Sequence, residues 1–75
     1  MKERVFTVVS QVMNVPIAEV NENSSPNTIG EWDSLMHMNL ILALEEEFNV
    51  QFIDNDIVTM TSVKLIIETL KKHEK

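Results

Sequence analysis

The sequence predicts an all-α protein, a bundle of four helices with a long loop after the first helix and a short third helix. Three observations lead there. Apolar residues recur three and four apart in three separate segments, no segment alternates convincingly as a strand, and a stretch rich in Asn, Ser and Pro parts the first helical segment from the rest. With 75 residues and 44% apolar side chains, the chain is expected to form one domain over residues 1–75.

In the first segment Val5, Val8, Val9, Val12 and Met13 lie on one helical face, so a helix is expected over residues 2–14. Pro16 turns Val15 away from the α region and opens a loop, PIAEVNENSSPNTIGEWD, that reaches Asp33. Loops of this length in small domains usually have work to do, and Ile17, Val20, Ile29 and Trp32 are expected to staple it to the bundle. The acid-Ser pair Asp33-Ser34 starts the strongest helix, SLMHMNLILALEEEF. Its core stripe is expected to comprise Leu35, Met38, Ile41, Leu42 and Phe48, with Leu44 beside it and an end near Asn49. In VQFIDNDIVTM, Asp54 as a cap favours a short helix over a short strand. Thr61 is then expected to cap the last helix, with Met60 as a hydrophobic staple and Val63, Ile66, Ile67 and Leu70 as its buried face. Lys71 and Lys72 close it, where the helix dipole favours cations.

Size and charge narrow the function. A chain this short has few residues with which to wall both a substrate cavity and a catalytic constellation, so no enzyme is expected. The net charge is −6, and no Lys or Arg stands between Arg4 and Lys64 while Glu19, Glu22, Glu31, Asp33, Glu45, Glu46, Glu47, Asp54 and Asp56 do. Such a middle repels phosphate backbones and anionic lipid and attracts basic patches, so neither nucleic acid nor membrane is expected as a partner. The absence of Cys excludes disulfides and Cys-based metal sites. No apolar run approaches the roughly 20 residues of a membrane span, and a cytoplasmic protein is expected.

Several reactive constellations fail on spacing. Asp33, Ser34 and His37 could be drawn as a hydrolytic triad, but MHMNL offers no turn to supply oxyanion donors, and His37 is expected to face solvent. Glu45, Glu46 and Glu47 point about 100° apart on a helix and read as a solvated acidic face rather than a facing acid/base pair. His37 and His73 lack the spacing of a helical zinc site, and Asp54, Asn55 and Asp56 lack that of a calcium loop, so no metal is expected. What remains is Ser34, a hydroxyl at the head of the longest helix. Alone, it reads as a helix cap, since its oxygen can satisfy an orphan N–H.

Asp33-Ser34-Leu35, followed by Leu44-Glu45-Glu46-Glu47-Phe48 and then by Thr61-Ser62-Val63 at the start of the last helix, resembles an acyl carrier protein over nearly the whole chain. The resemblance implies a four-helix bundle whose third helix is short. It also implies that Ser34 carries 4′-phosphopantetheine, taken from coenzyme A by a phosphopantetheinyl transferase that holds Mg²⁺. The cofactor's thiol would hold acyl groups as thioesters and deliver them to enzymes of fatty acid, polyketide or another specialised biosynthesis. An acyl-loading ligase or transferase and enzymes with basic docking patches are the implied partners; nothing in the sequence resembles a coiled-coil seam, and a monomer is expected. An aminoacyl or peptidyl carrier shares the same Ser motif. A third reading is an unmodified acidic interaction module in which Ser34 is only a cap, whose loss would cost roughly 0.5–2 kcal/mol.

The candidate docking residues are Asp33, Leu35, Met36, Met38, Asn39, Leu42 and Glu45. Met36 and Asn39 stand where many fatty-acid carriers have acids, and Trp32 replaces a small residue, a form more similar to stand-alone carriers of specialised pathways. Met36, Met38 and Leu40 can serve either a wide core stripe or an apolar docking surface. An acyl chain could shelter among Leu42, Leu44, Ile57 and Ile66 or stay outside.

Overall fold

The structure is a computed structural model that describes residues 2–73. Its elements are α1 (Lys2–Met13), a single 3-10 turn (Ile17–Glu19), α2 (Ser34–Phe48), α3 (Asp54–Thr59) and α4 (Val63–His73), with no strand among the described residues. The predicted all-α bundle with its long loop and short third helix is what forms, within 31 × 23 × 19 Å.

α1 and α2 end alike. Asn14 and Asn49 take left-handed backbone with φ of 58° and 53°, a conformation Asn tolerates better than most residues. Val15 N–H then reaches back to Ser10 O at 3.1 Å, and Val50 N–H to Glu45 O at 3.2 Å. Arg4 of α1 seals the far end of α2. Its Nε lies 3.0 Å from Glu47 Oε2, its Nη2 donates to Glu47 O at 2.7 Å, and its guanidinium lies 4.5 Å from the centre of the Phe48 ring. One cation thereby meets a carboxylate, an orphan carbonyl and an aromatic face at the negative end of the helix.

The core draws Val5, Val8, Val9 and Met13 from α1, and Val63, Ile66, Ile67 and Leu70 from α4, the faces the spacing predicted. On α2 the phase differs from expectation. Leu40, Ile41 and Leu44 are buried, Phe48 packs half-buried against them, and the expected core members Leu35, Met38 and Leu42 are exposed. The reason is that apolar residues run round most of the α2 circumference, so periodicity cannot choose a face and contact with α1 does. Leu40 thus belongs to the core and Met38 to the surface, with Met36 half-buried between them.

Three of the four loop anchors behave as predicted: Val20, Ile29 and Trp32 are buried, whereas Ile17 is 51% exposed on its 3-10 turn. The polar residues between them order the loop locally. Asn23 N–H donates to Asn21 Oδ1 at 2.8 Å, Asn21 N–H to Ser24 Oγ at 3.0 Å, and Ser25 N–H to Thr28 Oγ1 at 3.0 Å. The loop then serves α4, whose first two N–H groups donate to it: Val63 to Ser24 O at 2.9 Å and Lys64 to Glu22 O at 3.0 Å. The third, Leu65 N–H, goes to Ser62 Oγ at 3.2 Å. Ser62 is therefore the side-chain cap, not Thr61. Ser62→Ala is expected to cost about 0.5–2 kcal/mol, read as a lowered urea midpoint at unchanged slope.

α3 has only six residues, too few to persist alone. Ile53 rather than Asp54 occupies its cap position, and Asp56 Oδ2 accepts the Ile53 N–H at 3.4 Å. The short helix is therefore held by its neighbours.

Candidate functional site

The head of α2 is built from its cap outward. Asp33 is extended, with φ −108° and ψ −173°, and its Oδ1 accepts Met36 N–H at 2.9 Å while its carbonyl accepts His37 N–H at 2.7 Å. Asp33 is thus the N-cap, and Ser34 is the first helical residue. The cap role expected of Ser34 belongs to its neighbour. Ser34 is exposed, and its Oγ makes no hydrogen bond to the described residues.

Beside it opens a cleft of about 530 Å³ between the loop, α2 and α3, whose walls include Trp32, His37 and Met38 on one side and Ile57 and Val58 on the other. Its size is that of a ligand groove. Leu44 and Ile66, expected to shelter an acyl chain with Leu42 and Ile57, are instead sealed in the core, while Leu42 is 58% exposed and only Ile57 reaches the cleft. The four do not form one pocket.

His37 does not face solvent. It is half-buried, its Nδ1 accepts Trp32 Nε1–H at 3.0 Å, and its Nε2 lies 2.9 Å from Ile57 O. The tautomer that pairs both contacts accepts the indole N–H at Nδ1 and donates from Nε2 to the carbonyl. The Trp32 and His37 rings lie edge to edge, with centroids 6.2 Å apart and planes 20° from parallel. Sequence reasoning missed this bridge, and a Trp five residues before a His across a helix start was a visible signal only of its Trp32–His37 half.

The acidic run also divides. Glu45 Oε2 accepts Phe52 N–H at 2.9 Å and Glu47 pairs with Arg4 at 3.0 Å, so two of the three expected solvated acids are engaged. Among the candidate docking residues, Asp33, Leu35, Met38, Asn39 and Leu42 are exposed, and Met36 and Glu45 are half-buried. Leu35, Met38 and Leu42, at spacings of three and four, form an apolar stripe leading away from Ser34.

At the far side of α3, Asp56 is 5% exposed and gathers His73 Nε2 at 3.2 Å, Lys72 Nζ at 3.8 Å and the Ile53 N–H. Burial pushes its carboxyl pKa up, but the His73 hydrogen bond, the Ile53 N–H and the charges of Lys72 and His73 outweigh this and hold it below the usual carboxylate range. His73 also meets Phe52 edge-on, with ring centroids 5.5 Å apart. Among the described residues no three His, Asp or Glu side chains gather to hold a metal ion, and no helix is long and apolar enough to cross a membrane.

A small helical bundle with an unengaged hydroxyl at the head of its longest helix suits a protein that bears a group for others to act on. The family model described as phosphopantetheine attachment site matches residues 3–70, and the chain belongs to that family. It is a phosphopantetheine-bearing carrier protein whose cofactor is covalently bound 4′-phosphopantetheine. Carrier domains of this family work with transferases and biosynthetic enzymes and are generally not catalysts themselves.

The head of α2 fits such a group. A phosphodiester on Ser34 Oγ would meet the positive end of the helix dipole and displace no internal hydrogen bond, with the cleft alongside for the arm. Asp33 opposes that phosphate by charge, an opposition eased because its Oδ1 is already occupied by Met36 N–H. When attached, the group supplies a thiol on a flexible arm.

Proposed function

We propose that Ser34 is the attachment residue and that the protein is an acyl carrier, presenting acyl thioesters to the enzymes of a biosynthetic pathway. The observation that carries this reading is the division of labour at the head of α2: Asp33 does the capping, and Ser34 has an exposed hydroxyl with no structural duty. A phosphopantetheinyl transferase would form one Oγ–P ester bond there from coenzyme A, breaking the pyrophosphate P–O bond so that 3′,5′-adenosine diphosphate leaves and the hydroxyl proton is released. The aminoacyl or peptidyl carrier reading shares this site, and loading by an acyl ligase rather than an amino-acid adenylating enzyme separates the two.

Partners would approach along the exposed stripe of Leu35, Met38 and Leu42, with Asp33 and Asn39 at its side and Met36 and Glu45 at its half-buried margin. Glu46 remains for a basic patch, and Asp33 adds its charge next to Ser34. Leu35, 71% exposed, has little packing to lose. Leu35→Ala is expected to lower kcat/KM for a partner enzyme about tenfold without moving the urea midpoint, the loss of one good interface anchor.

The reading is tested by intact-protein mass before and after incubation with coenzyme A, Mg²⁺ and a broad-specificity phosphopantetheinyl transferase. A gain of one phosphopantetheinyl group that fragmentation maps to Ser34 supports it. A folded protein that gains nothing, while a known carrier is modified in the same tube, favours the unmodified interaction module.

A further inference from the structure

His37, Leu40, Ile41 and Leu44 lie at helical spacing on one face of α2, so His37 continues the core stripe toward Ser34, one turn short of it. Beyond it on that face Leu40 and Leu44 are at 0% exposure, as are Met60 after α3 and Val63 and Ile66 of α4. His37 also spans the seam between helices. Ile57 lies in the last turn of α3, where a carbonyl has no partner within its own helix, and Thr61 N–H turns to Thr59 O at 2.9 Å instead. The Nε2 proton of His37 satisfies that carbonyl at 2.9 Å, and Trp32 Nε1–H fixes the ring from the opposite edge at 3.0 Å. Anything extending from Ser34 into the bundle between α2 and α3 must part this bridge, whereas the cleft of Trp32, Met38 and Val58 lies open beside it.

We propose that His37 is a positioning residue that latches α3 to α2, so that a chain carried on Ser34 lies along the surface cleft and does not enter the core. This rests on Ser34 being the attachment residue. Leaving an unpaired carbonyl and an unpaired indole N–H in a half-buried seam opposes opening, and a chain in the open cleft keeps its methylenes partly hydrated.

The test loads acetyl, butyryl, hexanoyl and octanoyl phosphopantetheine from the matching acyl-coenzyme A onto the full chain, with intact mass verifying each product, and records Tm against chain length. Chains buried in the core would raise Tm by several degrees for each added pair of methylenes, and chains in the cleft would leave it nearly flat. We expect a flat series for the wild type and for His37→Gln, whose amide still reaches Ile57 O, and a rising series for His37→Ala. Should His37→Ala fail to fold, His37→Leu, which fills the seam but leaves Ile57 O without its donor, is expected to give the rising series. A rising wild-type series overturns the proposal, as does a flat series in the variants that lose the latch. Absence of loading at Ser34 overturns the attachment assignment and the latch proposal with it, whereas loading with a rising wild-type series overturns the latch alone.

Discussion

Ser34→Ala is expected to abolish uptake of the phosphopantetheinyl group completely while shifting stability by no more than about 0.5 kcal/mol, the range of an exposed substitution away from structural features. Ser34 is exposed, makes no hydrogen bond to the described residues and sits inside the helix rather than at its cap. Ala is moreover a good first-turn residue. Asp33→Ala is expected to show the complementary pattern. Loss of its bond to Met36 N–H, 2.9 Å in the wild type, costs about 0.5–2 kcal/mol while the Ser34 hydroxyl is retained. Intact mass and a urea titration on both variants read the two effects separately. Modification persisting in Ser34→Ala would move the site elsewhere, and a large loss of stability there would mean that Ser34 has a structural partner after all.

The second large effect lies at Asp56. Asp56→Asn is expected to cost about 1.5–3 kcal/mol, the range for hydrogen bonds to a charged group. Most of this comes from the His73 contact at 3.2 Å and the Ile53 N–H, and little from Lys72, which is 3.8 Å away and largely exposed. The sign of the pH dependence follows from the lowered pKa. A carboxylate held below its unfolded value binds fewer protons in the native state, so its stabilisation is present above the unfolded pKa. That stabilisation is lost as the pH falls through the folded pKa. The gap between wild type and Asp56→Asn in urea midpoint should therefore be widest near neutrality and close in acid, below the usual carboxylate range. A gap that stays constant into acid would show that Asp56 acts through shape and not charge.

Two histidines hold the short helix that carries Asp56. The six residues of α3 are secured by His37 of α2 at Ile57 O and by His73 of α4 at Asp56. Neither attachment was legible in the sequence. Both partners are remote along the chain, one is a backbone carbonyl, and a side chain's neighbours 17 and 20 residues away carry no local signature. The cap residues were legible only to within one position. Asp33-Ser34 and Thr61-Ser62 each offer two oxygens, and the backbone conformation decides which one turns toward the helix.

Local pattern alone determined the helices, the loop between α1 and α2, the buried faces of α1 and α4 and the serine at the head of α2. These depend on propensity and periodicity, which act over a few residues and can be read from a single chain. Tertiary packing decided the face that α2 buries, because its apolar residues surround the helix and only contact with α1 breaks the tie. It also turned Leu35, Met38 and Leu42 outward beside Ser34 and set His37 between the cleft and the core, since burial is settled by neighbours in space and not in sequence.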